Sequence, residues 1–191
     1  MQSIYQTFKY KSVRIISGSH KGRRISPDKS FKARPTTDFA KENLFNVLNN
    51  TIDFEDLNVL DLFGGTGSIS YEFASRGAEQ VVCVELNFKH CAFIKKTIND
   101  LGFTQIHALR ADIFKYLKGC NKKFDLIFAD PPFDLDTIDT IPDAILKQNI
   151  LNEDGIVIVE HSSRNDFSQH PLFHDMRSYG SVNFSFFKLK D

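Results

Sequence analysis

Between Leu57 and Glu160, short apolar runs alternate with stretches whose apolar residues recur every three or four positions. The runs 57–63, 81–86, 106–109, 124–129 and 156–160 are nearly continuous in apolar character, as expected of strands buried on both faces. The intervening stretches 68–76, 87–101, 113–118 and 142–149 read as helices, with Gly77 and Gly102 as stops and Pro142 tolerated in a first turn. Strand and helix in strict alternation predict an α/β fold, a doubly wound and mostly parallel sheet covered on both faces. Residues 173–179 and 182–189 flank Gly180-Ser181 with no helix between them, which predicts an antiparallel hairpin at one edge of what would then be a seven-stranded sheet.

Ahead of this alternation the pattern changes. Val13–Ser17 and Gly22–Ser26 are strand-like and separated by Gly18-Ser19-His20-Lys21, so they predict a small β-hairpin with its cations on one side. Pro35 disfavours helix at Arg34, and Thr37 or Asp38 can cap a helix whose Ala40, Leu44, Val47 and Leu48 share one face before Asn49-Asn50 ends it. The expected organisation is a hairpin-plus-helix appendage over 1–50 and a main domain over 51–191.

Charge sharpens that division. The chain is neutral overall, yet its first 41 residues hold ten Lys and Arg against two Asp, a net of +8, which leaves −8 on the rest. A basic arm on an acidic body is the footprint expected for contact with nucleic acid, although a solvated polar terminus would carry the same charge. Arg14, Lys21, Arg23, Arg24 and Arg34 are the candidate phosphate contacts. Val13, Ile15, Ile16 and Ile25 between them argue for structure rather than a loose tail. At 191 residues with 19 Phe and no Trp, the core should be rich in Phe. No apolar run approaches the roughly 20 residues of a membrane span, and residues 1–11 are polar, so a cytoplasmic protein is expected. Cys83, Cys91 and Cys120 lack paired spacing, and the six His are scattered, so neither a disulfide framework nor a metal centre is expected.

The candidate chemistry lies at the ends of the predicted strands. Leu60-Asp61-Leu62-Phe63-Gly64-Gly65-Thr66-Gly67-Ser68 stands where the first strand of the sheet turns into a helix, the place where open parallel sheets bind ligands. Gly65-Thr66-Gly67-Ser68-Ile69-Ser70 misses the third position of a dinucleotide fingerprint. Glu85 ends the second strand, where a carboxylate can accept two ribose hydroxyls, and Asp112 follows the third, where it can receive an adenine amino group. Taken singly, Glu85 could equally be a solvated strand-end carboxylate. The fourth strand ends in Asp130-Pro131-Pro132-Phe133, and because proline cannot continue the ladder, Asp130 and Phe133 must sit on a stiff loop at the sheet edge.

Asp130-Pro131-Pro132-Phe133 resembles the Asp/Asn-Pro-Pro-aromatic motif of enzymes that methylate planar amino or amide nitrogens. The ordered set of strand-end groups resembles the class I S-adenosylmethionine-dependent methyltransferase fold, in which Asp61 and the glycines would face the amino-acid half of the cofactor. Phe63 stands where many of those enzymes have Gly. With Arg14-Ile15-Ile16-Ser17-Gly18, Lys21-Gly22-Arg23-Arg24 and Arg34-Pro35-Thr36-Thr37-Asp38 added, nearly the whole chain resembles the RsmD family, small bacterial methyltransferases acting on a guanine N2 of 16S ribosomal RNA. The resemblance implies S-adenosylmethionine as cofactor, held by Asp61, Phe63, Gly65, Thr66, Gly67, Glu85, Asp112, Ile113 and Asp130. It implies Asp130, Pro131 and Phe133 as the catalytic group and no metal. The implied partner is 16S rRNA, alone or within an assembling small subunit, met by a monomer.

An exocyclic amine is a poor nucleophile because its lone pair is delocalised into the ring. Asp130 and the Pro131 carbonyl offer two acceptors for its two hydrogens, and Phe133 offers a face on which a base can stack. Three other readings compete. A DNA adenine-N6 methyltransferase shares the motif but usually carries a separate recognition domain. A protein glutamine methyltransferase typically has Asn in place of Asp130. A non-catalytic RNA-binding module would leave the strand-end carboxylates idle.

Overall fold

A computed structural model of the chain describes residues 12–27 and 37–190. In chain order the elements are β1 (Val13–Arg14), β2 (Arg24–Ile25), α1 (Asp38–Asn49), β3 (Asn58–Leu62), α2 (Ser68–Ser75), β4 (Gln80–Glu85), α3 (Phe88–Leu101) and β5 (Ile106–Arg110). They continue with α4 (Ile113–Gly119), β6 (Phe124–Ala129), a short 3-10 turn, α5 (Ile141–Leu146), β7 (Leu151–His161), β8 (Phe173–Tyr179) and β9 (Val182–Lys188). Strands β3 to β9 form one seven-stranded sheet in the order β5-β4-β3-β6-β7-β9-β8, in which β9 alone runs against the rest and so pairs antiparallel with both β7 and β8. The chain winds outward from β3 to β5 on one side and from β6 onward on the other, so the switch in winding direction lies between β3 and β6. Ligands of doubly wound folds bind at that switch.

Each face of the sheet carries its own core. Val59, Cys83, Phe128 and Ile158 pack beneath α1, α2 and α3, while Leu60, Val84, Ile127 and Val159 pack with residues of α4 and α5. Alternate residues of each strand serve opposite faces, as the pleat requires. Helix starts follow local rules: Thr37 caps α1 by accepting the Ala40 N–H at 3.1 Å, and Asn87 caps α3 through Lys89 and His90.

Several element bounds differ from those expected, each for a non-local reason. β7 begins at Leu151, five residues before the apolar run. Phe124 pairs with Leu151 and Leu126 with Ile156, a register shift that lets residues 152–155 bulge past one residue of β6. Asp125 pins this bulge, accepting from Asn152 Nδ2 at 2.5 Å and from the Asn58 N–H at 2.8 Å. α5 ends at Leu146 rather than Asn149, which takes the left-handed conformation with φ 53°.

The N-terminal hairpin has only two residues in each strand because its continuation is bonded to the body instead. Glu72 of α2, fully buried, accepts the N–H groups of Ile16 and Ser17 at 2.8 and 3.0 Å. Ser75 accepts the His20 N–H at 2.9 Å on its hydroxyl and donates that hydroxyl to the Ser17 carbonyl at 2.6 Å. Gly18 (φ 79°) lets the turn lie flat on α2; a Cβ there would stand 1.7 Å from the Ser75 carbonyl oxygen. Arg14 and Arg24 are cross-strand partners and face the same way, as expected, with Arg14 3.5 Å from both Asp38 and Glu42.

Beneath the hairpin lies a buried charge cluster. Lys41 Nζ donates to the Arg14 carbonyl at 2.7 Å and to Ser68 Oγ at 2.9 Å, and stands 3.6 Å from Glu72 Oε2. Arg76 Nε donates to Glu72 Oε1 at 2.9 Å, its guanidinium lying over the Phe45 and Phe54 rings. Burial holds the Lys41 ammonium below the usual lysine range against the pull of Glu72. Removing one partner of such a pair would strand a buried charge at a cost of about 3–5 kcal/mol. The hairpin is thereby fixed to α2, and Arg23 and Lys21 stand exposed on it.

Candidate functional site

The loop after β3 turns sharply. Phe63 adopts φ 65°, a left-handed conformation that costs a residue with a Cβ about 1–2 kcal/mol. The Gly64 N–H donates to the Val84 carbonyl at 2.9 Å and the Gly67 N–H to the Gly64 carbonyl at 2.6 Å, so the loop doubles back into α2. Gly67 (φ 80°) caps that helix in a space where a Cβ would stand 2.4 Å from the Tyr71 ring.

Two carboxylates frame the loop. Glu85, buried at the end of β4, accepts the Gly65 N–H at 2.8 Å on one oxygen and the Asn87 N–H at 2.6 Å on the other, with His90 Nδ1 at 3.8 Å. Each oxygen keeps acceptor capacity beyond its backbone partner. Asp61, buried in β3, accepts the Ser70 hydroxyl. Burial pushes its carboxyl up to about 7, against the Ser70 hydrogen bonds and with a smaller contribution from the charge on Glu85.

Asp112 caps α4, accepting the Lys115 N–H at 3.0 Å on Oδ1. Asp130 follows β6, and its N–H reaches the Leu62 carbonyl at 3.4 Å, extending the β3–β6 ladder to the last residue before the prolines. The Leu135 N–H donates to the Pro132 carbonyl at 2.9 Å and closes a turn that presents Phe133, 37% exposed, at the edge of the site.

These groups line one cavity of about 1000 Å³, the upper end of the range for small-molecule sites. Of the expected cofactor residues, Asp61, Phe63, Gly65, Thr66, Glu85, Asp112, Ile113 and Asp130 border it; Gly67 sits behind the loop at the helix cap. Pro131 and Phe133 border it as well. Arg14, Lys21, Arg23 and Arg24 lie on the hairpin outside it, joined to it through Lys41, since Ser68 both receives Lys41 and lines the cavity. Arg34 falls outside the described residues.

Sequence reasoning passed over Thr37, Glu160, Ser162, Arg164 and Ser181, which also border the cavity. Glu160 carried a usable signal, because it ends an apolar strand just as Glu85 does. The others come from turns and a cap whose approach to the cavity depends on the β7–β9 pairing and on α1. His161 is structural, its Nδ1 and Nε2 in contact with the Ser162 carbonyl and Ser185 Oγ at 2.9 and 2.8 Å. Among the described residues no His, Cys, Asp and Glu cluster suited to a metal ion is found, and no helix is long and apolar enough to cross a membrane.

A family profile described as "Conserved hypothetical protein 95" matches residues 13–188. Ribosomal RNA small subunit methyltransferase D of Buchnera aphidicola subsp. Baizongia pistaciae is 33% identical over 163 residues, 85% of this chain and 83% of that protein. The solved structure of a hypothetical protein from Thermus thermophilus superposes with a TM-score of 0.79 at 23% identity, covering 93% of this chain and 99% of that one. The structure of SMU.776 complexed with SAH shares the fold at a TM-score of 0.62 and 18% identity, covering 78% of this chain and 49% of that one.

The raised Asp61 carboxyl has a signature in stability. In the unfolded chain the group ionises near 3.8, whereas the folded chain keeps the proton to about 7, so the folded state binds more protons across that window. Stability should therefore fall as pH rises through it, by up to about 4 kcal/mol from this group. Urea unfolding at a series of pH values should show wild type losing stability relative to Asp61→Asn between about pH 4 and 7. Parallel curves for the two proteins would contradict the assignment.

Proposed function

The chain belongs to the RsmD family, the family described as Conserved hypothetical protein 95, and from that premise we propose that it methylates the exocyclic N2 amine of a guanine in 16S small-subunit rRNA. The observation that carries the reading is Asp130 and an exposed Phe133 held by two prolines at the edge of the cavity that Asp61 and Glu85 frame. S-adenosylmethionine is the cofactor, and when bound it supplies an electrophilic methyl group on a sulfonium. The residues present suit it. Glu85 has acceptor capacity for a ribose diol, Ile113 and Phe114 give an apolar wall for a planar base, and Asp61 with the Phe63–Thr66 loop faces the remaining, amino-acid end.

Asp130 and the Pro131 carbonyl each accept one hydrogen of the target amine, while the Pro132 carbonyl is engaged in its turn. Two acceptors draw the nitrogen toward a pyramidal geometry in which its lone pair points into the cavity. Asp130 is also placed to take the proton that the nitrogen sheds as it gains the methyl group. Phe133 stacks on the base, which must leave its helix or already be unpaired to enter. Positioning of this kind supplies several kcal/mol of the roughly 8 or more required of an enzyme.

The hairpin supplies the RNA contact. Arg14 is partly neutralised by Asp38 and Glu42, so the exposed Lys21, Arg23 and Arg24 carry the phosphate contacts. Replacing these three by Ala should reduce the slope of log affinity against log salt by about 0.7–0.9 per contact, read by filter binding over a salt series. An unchanged slope would mean that the hairpin does not meet the phosphates.

The catalytic assignment is tested at Asp130. Asp130→Ala should keep S-adenosylmethionine affinity within a few-fold by calorimetry while lowering single-turnover methylation of small-subunit RNA by about 100-fold or more. Normal methylation by this variant would sink the mechanism.

A further inference from the structure

The cavity has two sides. Glu85, Asp112 and Ile113 border it along β4 and the start of α4, whereas Asp130, Phe133, Glu160 and Ser181 border it along β6, β7 and the β8–β9 turn. The second side is the acceptor side in the reading above, and it contains a carboxylate to which that reading gives no task. Glu160 is 3% exposed and lines the cavity.

Its placement follows from the sheet. Ala129 pairs with Val159 in the parallel β6–β7 ladder, so Asp130 and Glu160 are the next residues on adjacent strands, which run about 4.8 Å apart. Along β7, Ile156 and Ile158 belong to the α1–α3 face and Val157 and Val159 to the other. The alternation puts Glu160 on the α1–α3 face, the face of Phe128, which also lines the cavity. Burying a carboxylate is costly unless donors meet it, and its two oxygens offer about four acceptor sites, enough for a substrate donor beside any partner within the protein.

We infer that Glu160 is a specificity-determining residue that accepts the ring N1–H of the target guanine while its neighbour Asp130 accepts from the adjacent N2 amine. Guanine presents these two donors side by side on one edge, matching two carboxylates at neighbouring strand ends. Adenine presents a lone pair at N1, which Glu160 repels. A site built around a hydrogen bond rejects an analogue that lacks it far more strongly than an apolar pocket rejects a size mismatch. The inference rests on the guanine reading of the proposed function.

The test uses an acceptor that keeps the amine and lacks the N1 hydrogen. A synthetic small-subunit RNA fragment spanning the methylated guanine is compared with its twin carrying 2-aminopurine at that position. Wild type should favour guanine by about 100-fold or more in kcat/KM. Glu160→Gln, whose amide can donate to the bare N1, should narrow that preference at least about tenfold and leave S-adenosylmethionine affinity within a few-fold. Two results would overturn the inference: wild type methylating both RNAs equally well, which needs no variant, or Glu160→Gln keeping the wild-type preference whatever its absolute rate. Failure of wild type to methylate the guanine RNA at all would overturn the guanine reading and this inference with it.

Discussion

Because β3 pairs in parallel with both β4 and β6, the turns that follow all three strands emerge at one edge of the sheet, and the chemistry of the molecule depends on that geometry. Leu62 lies beside Val84 and Ala129, so the Phe63 turn, Glu85 and Asp130 begin within one residue of each other along the strand direction. An antiparallel partner on either side would carry one of these groups to the opposite end. The glycine loop then has a fixed frame: the Val84 carbonyl and the Glu85 carboxylate hold the Gly64 and Gly65 N–H groups, and the left-handed Phe63 turn is maintained by bonds on both sides of it.

The second requirement is that the basic hairpin, the proposed RNA contact, keep a fixed relation to this edge. The hairpin is too short to be stable by its own pairing, and its backbone is held instead by Glu72, Ser75 and Lys41. Since α2 starts at the glycine loop and carries both Glu72 and Ser75, one helix registers the basic hairpin to the glycine-loop side of the cavity. A buried ion pair does little for net stability, yet Glu72 here also accepts two hairpin N–H groups and Lys41 donates to a hairpin carbonyl, so the pair is bonded directly to the hairpin backbone.

Much of this was legible from the chain because it rests on local rules. Strand and helix alternation, the Thr37 cap, the Gly180-Ser181 turn and the proline stop after Asp130 each follow from a few neighbouring residues. What was not legible depends on partners distant in sequence. The truncation of the hairpin strands follows from Glu72, about 55 residues away. The early start of β7 follows from a bulge pinned by Asp125, and the burial of Lys41 from the hairpin carbonyl above it. Thr37 and Ser181 join the cavity only through helix and strand packing that no motif announces. Glu160 was within reach, because the argument that singled out Glu85 at the end of one strand applies equally to the end of another.

The family makes the chain an rRNA methyltransferase, and the strand-end geometry and the basic hairpin are the grounds on which we propose a guanine N2 of the small-subunit RNA as its target. The most direct test is mass mapping of nuclease digests of 16S rRNA from cells with and without the gene for this chain. The account predicts that one N2-methylguanosine disappears with the gene while every other modification stays. Retention of all N2-methylguanosines, or loss of a methyl group from a different atom or base, would contradict it.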